Sequence, residues 1–251
     1  MLNRQGRCTV GIYLLMFVAV FLGAVVQSTA GFAGAAVGVV LLSLAIPMPQ
    51  ATGLASIAAS LTCVLMAAQY RKHIEARLVL PPLPVYLLCS TLALRIAVQV
   101  DVTGLKAAFG LFLVVLAVYS AFFMDRVKLR PSTATAVVCA ALSGILSGLF
   151  GVGGPPMALY FLAVCGGDKE RYIANTQLLL ALNSLYANTV RIASGILTPA
   201  LLPLLIPGVL GLAAGSAAGG YAFKRFNMQT VKKVVYVAMA LSGLLTFATN
   251  V

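Results

Sequence analysis

The sequence predicts an all-α polytopic membrane protein built from two repeats of five helical segments each. Three observations carry this. Of 251 residues, 61% are apolar and only 9% are charged, where soluble domains run near 25% charged. From Ile12 to Tyr70 there is no Lys, Arg, Asp, Glu or His across 59 residues, room for roughly three spans of ~20 residues. The pattern of small and polar residues then returns 120 positions later. Composition excludes disorder, a coiled coil, collagen and a disulfide scaffold.

Ten apolar segments follow one another, at 10–30, 32–46, 51–70, 78–98, 104–124, 134–150, 153–166, 172–190, 200–223 and 230–249. Backbone in lipid must bond to itself, so these are helices. The first follows Arg4 and Arg7 like a signal peptide, but its apolar run continues into further spans, and it reads as an uncleaved helix. The second and seventh are short, at about 15 residues or ~22 Å, against a hydrocarbon core of ~30 Å. Each follows a glycine cluster, Gly31-Phe32-Ala33-Gly34 and Gly151-Val152-Gly153-Gly154-Pro155-Pro156. Pro47, Pro49, the basic run Arg71–Arg77, the run Asp125–Pro131 and the run Gly166–Arg171 punctuate the rest. The scattered glycines Gly211, Gly215, Gly219 and Gly220 read as helix-packing positions.

The repeat aligns Gly31 with Gly151, Gly34 with Gly154, Ser56 with Thr176 and Arg71 with Arg191. It divides the chain into a first transmembrane repeat at 1–125, a basic linker at 126–131 and a second repeat at 132–251. With ten crossings the two halves are inverted, the plan of many secondary transporters. Loops after odd-numbered segments then hold twelve basic residues and the opposite side five. That puts the odd loops in the cytoplasm and both termini outside.

The net charge of +12 sits in short loops, the topology signature of a membrane protein rather than a nucleic-acid surface. The five cysteines have no metal or redox spacing and read as small apolar residues. An intramembrane enzyme would need a nucleophile with a base, or metal ligands, and the single histidine, His73, lies in a loop. The chain is therefore not expected to be an enzyme, and no cofactor or metal is expected.

The matched glycine breaks are the expected site. Short, Gly- or Pro-interrupted segments in corresponding halves point to a transport site. A helix N-terminus leaves N–H groups unpaired and carries partial positive charge, glycine allows close approach, and proline suits the first turn. Gly31, Phe32 and Gly34 in one half, and Gly151, Gly153, Gly154 and Pro155 in the other, would make an anion site. Gln27, Ser28 and Ser147 end the helices before the breaks. Ser56, on a face with Thr52 and Ser60, and Asn175, Thr176 and Gln177 at the start of the eighth segment are the polar groups expected to line it. For Thr52 and Ser60, bonds across helices are the preferred reading. The acids Glu75, Asp101, Asp125, Asp168 and Glu170 all fall in predicted loops. Carboxylate-free spans suit an anion better than a proton relay. Arg95, Arg71 and Arg191 lie near segment ends and are expected to snorkel to the interface, with an anion-attracting vestibule as the alternative.

The stretch Ser143-Gly144-Ile145-Leu146-Ser147-Gly148-Leu149-Phe150-Gly151-Val152-Gly153-Gly154-Pro155-Pro156, with its degenerate copy Ser28-Thr29-Ala30-Gly31-Phe32-Ala33-Gly34, resembles the TauE/SafE family of sulfite exporter-like transporters. The resemblance implies transport, as an exporter, of small sulfur-containing anions such as sulfite, sulfoacetate and other organosulfonates, from a bacterial inner membrane. It implies that the glycine turns and the polar starts of the following helices line the pathway. A passive anion channel is the alternative. The partners expected are a small anion and the lipid bilayer, with a homo-oligomer compatible and nucleic acid not expected.

Overall fold

The computed structural model describes residues 2–30, 34–99, 104, 108–112, 114–115, 118, 132–166, 168–197 and 199–225. Among these it is all-helical: α1 (Leu2–Ala30), α2 (Gly34–Leu42), α3 (Met48–Gln69), α4 (Ala76–Val79), α5 (Leu83–Gln99), α6 (Thr133–Phe150), α7 (Gly154–Val164), α8 (Lys169–Ala193) and α9 (Leu205–Arg225). The linker 126–131, most of the fifth segment and the whole tenth lie outside the described residues. Gly11–Ser28, Met48–Gln69, Thr133–Phe150 and Leu201–Tyr221 are each long and apolar enough to cross a membrane.

Helix ends follow local chemistry. Ser132 caps α6 by accepting from the Thr135 N–H at 3.1 Å, and Asp168 caps α8 by accepting from the N–H groups of Glu170 and Arg171; such caps satisfy donors the helix leaves open. Pro47 precedes α3 and Pro49 sits in its first turn, where a missing N–H costs little. α6 ends at Gly151, whose φ of 72° is left-handed, a conformation glycine adopts without penalty.

The short helices correct the ten-crossing expectation. α2 has 9 residues and α7 has 11, ~14 and ~17 Å at 1.5 Å per residue. Neither reaches across a ~30 Å core. Each instead folds back on the helix before it. Ala35, Ala36 and Val39 of α2 share a core with Met16, Ala19 and Val20 of α1. Met157, Tyr160 and Phe161 of α7 share another with Ala136, Cys139 and Ala140 of α6. α1 with α2 and α6 with α7 thus form two helical hairpins, the second turning at Gly151–Gly153.

Glycine faces let the remaining helices close up. An added Cβ at Gly144 would lie 2.6 Å from the Tyr86 carbonyl oxygen, and one at Gly148 would strike that of Ser90, so α6 packs directly on the α5 backbone. Gly211, Gly215 and Gly219 of α9 meet α1 at Phe17, Phe21 and Val25 in the same way, while Gly220 faces open space. Small residues with this role are expected where lipid supplies no hydrophobic drive between helices. α3 and α8 pack on each other in the middle of the bundle. Phe150, the last residue of α6, stacks on Phe112 and meets Phe109 at a tilt, with ring centroids 5.3 Å from each.

Candidate functional site

The end of α1, the start of α2, the Gly151–Gly154 turn and the α3–α8 pair line a cavity of about 40 Å³, where one water needs roughly 10–15 Å³. α1 and α6 end at it, α7 begins at it, and α3 and α8 pass it near mid-length. Its polar wall is Gln27, Ser56, Ser147, Asn183 and Ser184, with the Tyr86 hydroxyl and the backbone of Gly151–Gly154. No carboxylate is in this wall. Gln27, Ser56, Ser147, Gly151, Gly153 and Gly154, drawn from four helices and one turn, are therefore brought together.

Hydrogen bonds hold the wall in place. Gln27 donates from Nε2 to Gln177 Oε1 at 3.2 Å and to Cys63 Sγ at 3.3 Å, and its Oε1 accepts the Gly34 N–H at 3.0 Å. One side chain thus ties α1 to α2, α3 and α8. Gly34 and Gln177 stand behind Gln27 rather than in the cavity. On the opposite wall Asn183 donates from Nδ2 to Ser147 Oγ at 2.7 Å, while Asn183 Oδ1 and Tyr86 Oη make no hydrogen bond of good geometry. Buried polar atoms without partners are uncommon and are often completed by water or a ligand.

The N-terminus of α7 offers fewer donors than the sequence suggests. Pro155 and Pro156 have no N–H, and the Met157 N–H is taken by Ser143 Oγ at 3.1 Å. Gly153 and Gly154 are left as the residues whose backbone borders the cavity. Gly153 has φ −101° and ψ 5°, which any residue can adopt. Its glycine is required by space, because a Cβ would meet the Ser143 carbonyl oxygen at 2.5 Å, Ser147 Cβ at 2.7 Å and the Tyr86 hydroxyl.

Other expected positions lie elsewhere. Ser28 faces α9, within reach of Gly219. Pro155 lines a separate apolar cavity between α6 and α7. Gly31 and Phe32 lie outside the described residues. Thr176 is buried with its hydroxyl unbonded but does not line the cavity. Thr52 and Ser60 donate to carbonyls three residues back in α3, at 2.8 and 2.7 Å, rather than across helices as expected, because a helical hydroxyl can reach the carbonyl of the preceding turn.

Asn175 belongs to a clamp at one end of α8. Its Oδ1 accepts the Glu75 N–H at 2.8 Å, and its Nδ2 donates to the carbonyls of Arg171 and His73 at 2.8 and 3.4 Å. Arg171 donates to Glu75 Oε1 at 2.6 Å, and His73 Nε2 lies 3.0 Å from Glu170 Oε2. The Glu75 hydrogen bond holds the Arg171 guanidinium above its ordinary pKa. This clamp fastens the 71–77 loop to α8.

Arg191 reverses its expectation. Arg95 is exposed, as snorkelling requires, but Arg191 is only 1% exposed. The chain after it turns through Gly195, with φ 72°. The N–H groups of Ile196 and Leu197 return to the Arg191 carbonyl at 3.1 and 3.4 Å, and Leu197 packs on Gly53. The guanidinium is covered and turned inward. It donates to Ser56 Oγ at 3.2 Å, Asn188 Oδ1 at 3.5 Å and the Ser147 carbonyl at 3.4 Å. Two of these three partners are cavity-wall residues.

The model of the sulfite exporter TauE/SafE family matches residues 15–246, nearly the whole chain. The chain belongs to the TauE/SafE sulfite exporter family. It is an integral membrane protein of a transporter family, and membrane transport of sulfite or related anions follows from that membership. No curated protein and no solved structure matches it.

Proposed function

We propose that this TauE/SafE protein moves small sulfur-containing anions, sulfite or organosulfonates such as sulfoacetate, through the cavity between the two hairpin turns, as an exporter of a bacterial inner membrane. One observation carries the reading: a cavity whose polar wall is amide, hydroxyl and backbone groups, with no carboxylate among its lining residues and with the Arg191 guanidinium hydrogen-bonded to two of them, Ser56 and Ser147. An oxyanion needs hydrogen-bond donors and positive charge and is repelled by carboxylates. Gln27, Ser56, Ser147, Gly151, Gly153 and Gly154, joined by Asn183, are the binding residues in this reading. Outward movement of one negative charge is favoured by ~2.3 kcal/mol per 100 mV of inside-negative potential, so export needs no proton relay.

The two-repeat plan, 1–125 and 132–251 about a linker at 126–131, is part of the proposal. It is supported by a contact that occurs twice. Gln27 bonds to Cys63 and Ser147 bonds to Asn183, each pair 36 residues apart and the second pair 120 positions after the first. Helix packing repeats in the same sense: α1 lies on α9 and α6 on α5, with α3 against α8. Two related hairpins facing one cavity suit alternating access.

The test is flux through proteoliposomes holding the purified chain, at clamped voltage, with sulfite, sulfoacetate, taurine and chloride. Saturable, voltage-sensitive movement of sulfite or sulfoacetate, with taurine and chloride left behind, is expected. Chloride movement at channel rates would replace the transporter with a passive anion channel. No movement of any of the four would remove the reading.

A further inference from the structure

Beyond the 40 Å³ cavity lies a second and smaller one, of about 20 Å³, lined by Met48, Thr52, Leu94, Gly148 and Arg191. Along α3 the two follow each other, the first at Ser56, Ala59 and Cys63 and the second at Met48, Pro49 and Thr52. Arg191 stands between them. It is in the wall of the second, while Ser56 and Ser147, which accept its hydrogen bonds, are in the wall of the first. Arg191 thus joins the wall of one cavity to the wall of the other.

Among the described residues, the bonding of Arg191 is that of a cation without a counter-ion. Its three acceptors are all neutral, at 3.2–3.5 Å. Charge-assisted bonds run nearer ~2.7–2.9 Å. The same chain shows what a satisfied arginine looks like: Arg171, with 35% of its side chain exposed, holds Glu75 at 2.5 and 2.6 Å. Among the described residues no carboxylate pairs with Arg191. A buried, unpaired charge costs stability heavily. This guanidinium has donors to spare, lines one cavity and bonds to the wall of the other.

We infer that Arg191 is the specificity-determining counter-charge of the transport path, forming the ion pair with the substrate oxyanion as it moves between the two cavities. The inference rests on the anion-transport reading and deepens it. It names the substrate class as an oxyanion able to present two oxygens to a planar fork. A sulfonate that also carries an ammonium finds no acid in either cavity wall, and is rejected.

Two pairs of variants test this, each read by thermal melting in detergent and by sulfite flux. Arg191→Gln removes the charge and should melt no lower than wild type, with the sulfite KM raised at least about tenfold. Arg191→Lys keeps the charge and loses the fork. It should recover part of that affinity and discriminate less between sulfite and chloride. Ser56→Asp sets a permanent carboxylate beside the guanidinium, so it should melt above the isosteric Ser56→Asn and stop transport. Arg191→Gln with a wild-type KM, or melting well below wild type, overturns the inference. So does a Ser56→Asp protein that fails to assemble or melts at or below Ser56→Asn, as it would if Arg191 were already paired. The melting comparison judges Arg191 even if the wild-type chain moves none of the anions, so its failure is distinct from failure of the transport reading.

Discussion

Replacing Gly153 with alanine adds one methyl group where α6, α7 and α5 meet. The backbone there, at φ −101° and ψ 5°, accepts alanine, so the whole cost is steric. The new carbon would lie 2.5 Å from the Ser143 carbonyl oxygen and 2.7 Å from Ser147 Cβ, against an ordinary carbon contact of ~3.5–4.0 Å. The Tyr86 hydroxyl, also in the way, can swing aside. The Ser143 carbonyl belongs to α6 and cannot, so α7 must move by roughly 1 Å. That motion is resisted by the Met157 N–H bond to Ser143 Oγ. Forced overpacking of this kind costs about 1–3 kcal/mol, or roughly 2–4 °C of melting temperature per kcal/mol for a chain this long. The displaced turn carries Gly154 away from Ser147, so sulfite Vmax/KM in proteoliposomes should fall at least about tenfold, and Gly153→Val should abolish flux. Gly220→Ala, with nothing within 4 Å of its added Cβ, is the control. Flux and melting of Gly153→Ala equal to that control would refute the reasoning.

Gly151→Ala meets no crowding, its nearest neighbour being Thr52 Cβ at 3.7 Å, but holds φ at 72°; it should lose about 1–2 kcal/mol of stability through backbone strain alone, read by melting, and keep measurable flux. Gly215→Ala would press on the Phe21 carbonyl oxygen and on Ala24 at 2.9 Å. It should weaken the α1–α9 seam and lower the melting temperature, and melting like Gly220→Ala would contradict direct packing of α9 on the α1 backbone. Asn175→Leu removes the acceptor for the Glu75 N–H and the donor to His73, leaving groups worth about 1–3 kcal/mol unbonded. Proteolysis in the 71–77 loop should quicken while the sulfite KM holds; a raised KM with an intact loop would return Asn175 to the binding site.

Much of the fold is legible in the sequence because lipid leaves few options. The segments 134–150, 153–166 and 172–190 correspond to helices Thr133–Phe150, Gly154–Val164 and Lys169–Ala193, bounded by Ser132, Gly151 and Asp168, whose capping chemistry is local. Whether a short helix crosses or folds back is decided by partners such as Ala19 and Val20 for α2, which no local signal reveals. The same division holds for the cavity. The 120-residue offset alone relates Gln27 to Ser147, and their contacts repeat that relation. Asn175 sits two helical turns, ~12 Å, before Asn183, so it meets the 71–77 loop rather than the cavity. Asn183 is visible as a polar residue in a span, but its place beside Ser147 depends on how α6 and α8 pack. Arg191 reads as a snorkelling residue because α8 stops at Ala193. Only the return of Ile196 and Leu197 over it turns it inward, and Gly195 is the one local hint of that return.

Sulfite binding to the purified chain, measured by calorimetry on wild type and on Asn183→Leu, tests the central claim most directly. Asn183 is 2% exposed and donates to Ser147 in the cavity wall. One saturable sulfite site in wild type, weakened at least about tenfold in the variant while the variant still elutes and melts as a folded protein, is the predicted result. Equal binding by both proteins would mean that the anion sits somewhere other than this cavity.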